Sequence, residues 1–206
     1  MRARAAALLL CAAVAGLVWL ALTSSHLDAG PAALVVSAVA AAVATVLIAF
    51  QPLLAVLARS RPAAFRGHLA LGLAALVLVL VHVAALWLLS PEDVLFAISP
   101  DGPTRARMAV LATVALVIVV VLGIVRRWSS YAPQATRILH AFFGSLTLLL
   151  GVGHAVLTDG ALDGPGTAAL LLLAALGVAG IAAAQTTHLG SSAPSSAPGE
   201  VDDPVG

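Results

Sequence analysis

Of the six histidines in the chain, four form two matched pairs: His68 and His82 lie 82 − 68 = 14 residues apart, and His140 and His154 lie 154 − 140 = 14 apart. Each pair sits within one long apolar segment. An α-helix advances about 1.5 Å and 100° per residue, so a step of this size climbs roughly 21 Å and returns to nearly the same side. Each segment therefore offers two imidazoles from one face, at two depths. An ionisable side chain is costly inside a bilayer, and imidazole is a standard axial ligand of haem iron. These residues point to two bis-histidine haems stacked through a membrane, each clamped between the two segments. Two alternatives stay open: buried, hydrogen-bonded imidazoles, or a proton relay in a haem-free membrane transporter. Either would make the equal spacing a coincidence.

The elements that must position these side chains are membrane helices. The chain is 62% hydrophobic and 9% charged, with a mean hydropathy of +1.10, whereas an ordinary soluble domain is about 45–50% apolar. Six apolar spans follow one another at about 5–23, 32–57, 66–89, 106–125, 136–157 and 167–185, each near the roughly 20 residues needed to cross a bilayer. The expected fold class is all-α, an integral membrane six-helix bundle binding haem between helices three and five. Residues 1–31 form the first transmembrane helix and an outer loop, 32–185 the diheme domain, and 186–206 a disordered cytoplasmic tail. The Ser, Pro, Gly and acidic content of that tail cannot bury enough apolar surface to fold. Arg2 and Arg4 ahead of the first span also suit a secretory signal, but the length of the apolar run and the lack of a clear A-x-A site before Ser24 favour a retained helix.

Arginine placement sets the expected topology, because cytoplasmic connections carry the excess of basic residues. All ten basic residues are Arg, and the net charge of +1 makes no case for nucleic-acid binding. With the N-terminus inside, Arg2, Arg4, Arg59, Arg61, Arg66, Arg126, Arg127 and Arg137 fall on the inner side, and only Arg105 and Arg107 on the outer. The outer connections carry Asp28, Glu92, Asp93, Asp101, Asp159 and Asp163, and Trp19, Trp87, Trp128 and Tyr131 lie near span ends, as interfacial aromatic belts require. Both termini are then cytoplasmic in a multi-pass protein of the cell (inner) membrane. Spans three and five both run outward, so His68 pairs with His140 at the inner level and His82 with His154 at the outer.

Further residues suit the same chemistry. Gly72 follows His68 by four and Gly144 follows His140 by four, which leaves room one turn away for a flat macrocycle; small residues at ordinary helix contacts are the alternative. Anionic haem propionates favour Arg partners. Arg66 and Arg137 are the inner candidates and Arg105 and Arg107 the outer ones, unless they simply snorkel from helix ends. The single Cys11 excludes covalent attachment of the CxxCH kind, so the haems are expected to be b-type, noncovalent and two in number. His26 and His188 fall in a loop and in the tail and are not expected to be ligands.

The segments FRGHLALGLAALVLVLVHVAALWLL and RRWSSYAPQATRILHAFFGSLTLLLGVGH resemble the third and fifth helices of the ferric reductase-like transmembrane domain, the family of ferric reductases, NADPH oxidases and the bacterial haem-binding subunit YedZ. The resemblance covers about residues 32–185 and is carried by the paired histidines, the Arg-rich inner connection and Leu139-His140. It implies a six-helix bundle carrying haem b, axial ligation by His68, His82, His140 and His154, and electrons passing from the cytoplasmic to the outer face. Thr136 stands where many members have an aromatic residue. The cytochrome b of quinol:cytochrome c oxidoreductases shares the spacing but has eight spans and a PEWY motif, which this sequence lacks. No GxGxxG follows a strand pattern either. A cytoplasmic flavin reductase or a membrane quinol is therefore the expected donor, and ferric iron, oxygen or an extracytoplasmic reductase the expected acceptor.

Overall fold

The computed structural model describes residues 2–27, 30–58, 62–128, 133–158 and 162–189, and among them it contains seven α-helices and no strand. They are α1 (Arg2–Leu22), α2 (Ala32–Ala58), α3 (Pro62–Leu89), α4 (Pro91–Ile98), α5 (Thr104–Trp128), α6 (Pro133–Val156) and α7 (Gly164–Leu189), with a single 3-10 turn at Ser25–Leu27. All but α4 are long and apolar enough to cross a membrane, which makes six candidate spans. A helix meets its own backbone hydrogen-bonding needs, and in hydrocarbon nothing else will meet them. The third and fifth spans of the sequence are α3 and α6.

Helix α4 lies in the stretch that hydropathy assigns to a loop. Its start is encoded locally: Ser90 Oγ accepts from the Asp93 N–H at 3.4 Å, Pro91 occupies the first turn, and Glu92 and Asp93 sit at the positive end of the helix dipole. Beyond it the chain doubles back at Gly102, where a Cβ would come within 2.7 Å of Phe96 O and 2.8 Å of Ala97 O. At the other end of the chain, α7 continues to Leu189, past the point where the tail was expected to begin, and takes His188 into its last turn. Once a span has nucleated a helix, adding a few residues costs little. Residues 190–206 lie outside the described residues, as do Asp28, Arg59, Arg61, Tyr131 and Asp159.

Packing centres on α2, which runs along α3 and also touches α1 and α7; α5 lies along α6. The core brings together Leu17 and Ala21 of α1, Val46, Ala49 and Phe50 of α2, Leu148 and Val152 of α6, and Leu170 and Leu173 of α7. Small residues let the backbones approach: Gly177 faces Leu148 and the Ala49 carbonyl, Gly180 faces Pro52, and Gly153 faces Met108. Large apolar side chains such as Leu8, Val77, Leu80, Leu111, Leu149 and Leu172 point outward, as they do on a surface whose solvent is lipid. Trp19 and Trp87 are exposed near the ends of α1 and α3 expected to lie outermost.

Contacts at the helix ends establish relative direction. Ser37, early in α2, meets His82, late in α3, and Arg105, at the start of α5, meets His154, near the end of α6. Helices α2 and α3 therefore run antiparallel, as do α5 and α6, and the facing of His68 with His140 and of His82 with His154 makes α3 and α6 parallel. These two helices scarcely pack on one another directly. Between them stand the four histidines.

Candidate functional site

The ring centroids of His68 and His140 are 6.1 Å apart with an interplanar angle of 55°. Those of His82 and His154 are 6.5 Å apart at 65°. The spacing rule thus brings the intended partners together at both levels. Two metal–nitrogen bonds of about 2 Å each, with half a ring added on either side, place the centroids of imidazoles sharing one metal roughly 6 Å apart. Directly touching aromatic rings also fall within about 4.5–7 Å, so the surroundings of each pair have to discriminate.

At the outer pair, His82 Nδ1 lies 3.0 Å from the Ser37 carbonyl oxygen and 2.8 Å from Ser37 Oγ, and His154 Nδ1 lies 3.0 Å from the Arg105 carbonyl oxygen. A carbonyl can only accept, so each Nδ1 carries the proton and donates it. Nε2 is then the nitrogen with a lone pair in both rings. Histidine ligands of metals are ordinarily held in this way, the second nitrogen giving its proton to a carbonyl or carboxylate that fixes the tautomer and raises basicity. The carbonyl of Ser37 comes from α2 and that of Arg105 from α5, so each helix carrying a histidine is braced by its antiparallel neighbour.

At the inner pair, the brace is a side chain. The Gln51 amide of α2 lies against His68, 2.6 Å from its Nδ1, and reaches the backbone of α3 at Gly72. Beside it a cavity of about 400 Å³ opens between α3 and α6, lined by His68, Gly72, Gly123, Arg137, His140 and Gly144 among others. A Cβ on Gly144 would meet nothing within 4 Å, one on Gly72 would meet only Gln51, at 3.9 Å, and one on Gly123 would lie 3.7 Å from His140 Cε1. Three helices thus contribute glycines where side chains would otherwise fill the space.

The arginines separate into different situations. Arg137 lines the inner cavity, while Arg66 does not line it and is exposed. Arg105 holds His154 through its backbone carbonyl. Arg107 lines a separate hollow of about 180 Å³ with Ala97, Ile98, Val110 and Leu111, which includes neither outer histidine. His26 lies in the 3-10 turn. Among the described residues, no three or more His, Cys, Asp or Glu side chains come together.

Ser37, Gln51, Gly123 and the Arg105 carbonyl were not singled out by sequence. Two of them had a signal. Ser37 and Gln51 are 51 − 37 = 14 residues apart, the interval that separates the histidines they touch, so α2 carries an antiparallel ladder of polar partners for α3. Compared with family models, curated proteins and solved structures, the chain matches none.

Proposed function

We propose that this chain is a two-haem b-type cytochrome that carries electrons, one at a time, across the membrane from the cytoplasmic face to the outer face. The observation that carries this function is the pair of facing imidazole couples, 6.1 and 6.5 Å between centroids, on two parallel helices that scarcely touch elsewhere. His68 and His140 would hold the inner iron, His82 and His154 the outer. Two imidazoles are too few to enclose a bare metal ion, whereas a haem iron would need from the protein only the two nitrogens that each pair presents. When bound, haem b supplies the one-electron chemistry, and the protein contributes ligation, orientation and dielectric.

The chain's own residues suit that work. The carbonyls of Ser37 and Arg105 keep the proton on Nδ1 and leave Nε2 to coordinate. Gly72, Gly123 and Gly144 keep the inner cavity open, and Arg137 offers a guanidinium there to an anionic propionate. Leu69, Leu73, Leu116, Val119, Val120 and Leu148 give the inner cavity an apolar lining. At the outer pair a proton relay is served less well, because an imidazole that hands on protons must exchange tautomers, and an acceptor-only carbonyl at Nδ1 opposes that exchange.

The donor in this scheme is a cytoplasmic flavin reductase or a membrane quinol, and the acceptor is ferric iron, oxygen or an extracytoplasmic reductase, as in the ferric reductase-like family that the two histidine helices resemble. Orientation follows the arginine bias, with both termini in the cytoplasm of a cell whose inner membrane the chain spans. The test is a pyridine haemochrome count on the purified full chain. Two noncovalent haems per polypeptide are expected, and a dithionite-reduced visible spectrum without haem bands overturns the proposal.

A further inference from the structure

Resting on the two-haem function, we infer that Gln51 is the positioning residue of the inner site: its amide decides which nitrogen of His68 carries the proton, and thereby how strongly His68 donates to an inner haem iron. The two outer imidazoles are braced by backbone carbonyls, which only accept. The inner one is braced by a primary amide, which presents a donor at one end and an acceptor at the other.

Turned so that every amide atom meets a complementary neighbour, Gln51 donates to the His68 carbonyl at 3.1 Å and to His68 Nδ1 at 2.6 Å, while its oxygen accepts from the Gly72 N–H at 2.9 Å. An Nδ1 that accepts leaves the proton on Nε2. That tautomer cannot coordinate through Nε2. Half a turn of the amide brings its oxygen to Nδ1 instead: one proton leaves Nε2, one is taken up at Nδ1, and the imidazole stays neutral. The amide then gives up its contacts with the backbone of α3. Ligation at the inner site is thus coupled to a proton shift and an amide rotation that the outer site does not require. Gly72 takes part through its backbone N–H, from which the Gln51 oxygen accepts.

Replacing Gln51 changes the brace without touching either ligand. Gln51→Glu offers Nδ1 an acceptor alone, which raises imidazole basicity and favours ferric over ferrous iron. Gln51→Met removes the acceptor and does the reverse. The experiment is a potentiometric titration of the purified full chain, followed in the visible spectrum, on the wild type and both variants, with the inner component identified by its loss in His140→Ala. Gln51→Glu is expected to lower the inner midpoint potential and Gln51→Met to raise it, each tenfold change in ferric-to-ferrous preference appearing as about 59 mV in a one-electron couple. The outer component stays where it is. Inner potentials unchanged in both variants, or inner and outer components moving together, overturn the inference while leaving the two-haem function intact. If Gln51→Glu does not fold, Gln51→Met alone decides the matter by the same criterion. Absence of haem bands from the wild type as well overturns the two-haem function itself.

Discussion

His82 and His154 owe their shared geometry to two carbonyls on two different helices, and side-chain truncation separates backbone support from side-chain support. Ser37→Ala deletes the hydroxyl 2.8 Å from His82 Nδ1 but leaves the carbonyl at 3.0 Å. The outer haem is expected to remain bound, with the haemochrome count unchanged. His82→Ala removes a ligand and is expected to halve the count, leaving the component that His140→Ala abolishes. Filling the open space beside the inner pair has the opposite selectivity: Gly144→Leu is expected to halve the count by losing the inner haem, and redox titration would show the outer component persisting. For Arg105→Gln the carbonyl brace survives, while the positive charge of the residue that supplies it, which would favour a reduced outer centre, is lost. The outer potential should fall, whereas Arg107→Gln, in its separate hollow, should leave it unmoved.

At the scale of elements, α2 does most of the positioning although it carries no ligand. It packs along α3, supplies Ser37 and Gln51 to His82 and His68, and contributes Val46, Ala49 and Phe50 to the core that joins α6 and α7. Gly177 of α7 packs closely against that core, since a Cβ there would meet Leu148 Cδ2 at 2.5 Å and the Ala49 carbonyl oxygen at 3.3 Å. Overpacking a close-fitted interior costs about 1–3 kcal/mol. Gly177→Ala is therefore expected to lower the thermal midpoint of the detergent-purified protein. Leu148 also lines the inner cavity, so its displaced side chain should broaden the spectral band of an inner haem as well.

For the molecule as a whole, the two histidine pairs lie toward opposite ends of the parallel helices α3 and α6. Pairs about 21 Å apart along the axis cover most of a hydrocarbon core of roughly 30 Å. An electron moving outward from a negative interior is stabilised by about 2.3 kcal/mol per 100 mV, so the membrane field assists the proposed direction. Reporter fusions that are active only in the cytoplasm are expected to work after Arg61 and after Trp128 and to fail after Asp101. The reverse pattern would place the Arg-rich connections outside and invert the roles of the two pairs.

Hydropathy and the recurrence of histidine every 14 residues were enough to define an all-α chain of six membrane-crossing helices and to name the partners His68–His140 and His82–His154. Both depend on helical periodicity, which is a property of local sequence. The capping signal Ser90-Pro91-Glu92-Asp93 was equally local, but α4 is too short and too polar at its start to register in a hydropathy window. The Ser37–Gln51 interval was visible, yet nothing in α2 alone says that its polar side chains face α3. That depends on which helices become neighbours, as does the brace on His154, where the partner is a carbonyl that every residue possesses. The separation of α3 from α6 and the cavity beside the inner pair were decided only by tertiary packing, because a gap between two helices is set by the helices that hold them apart, here α2 and α5.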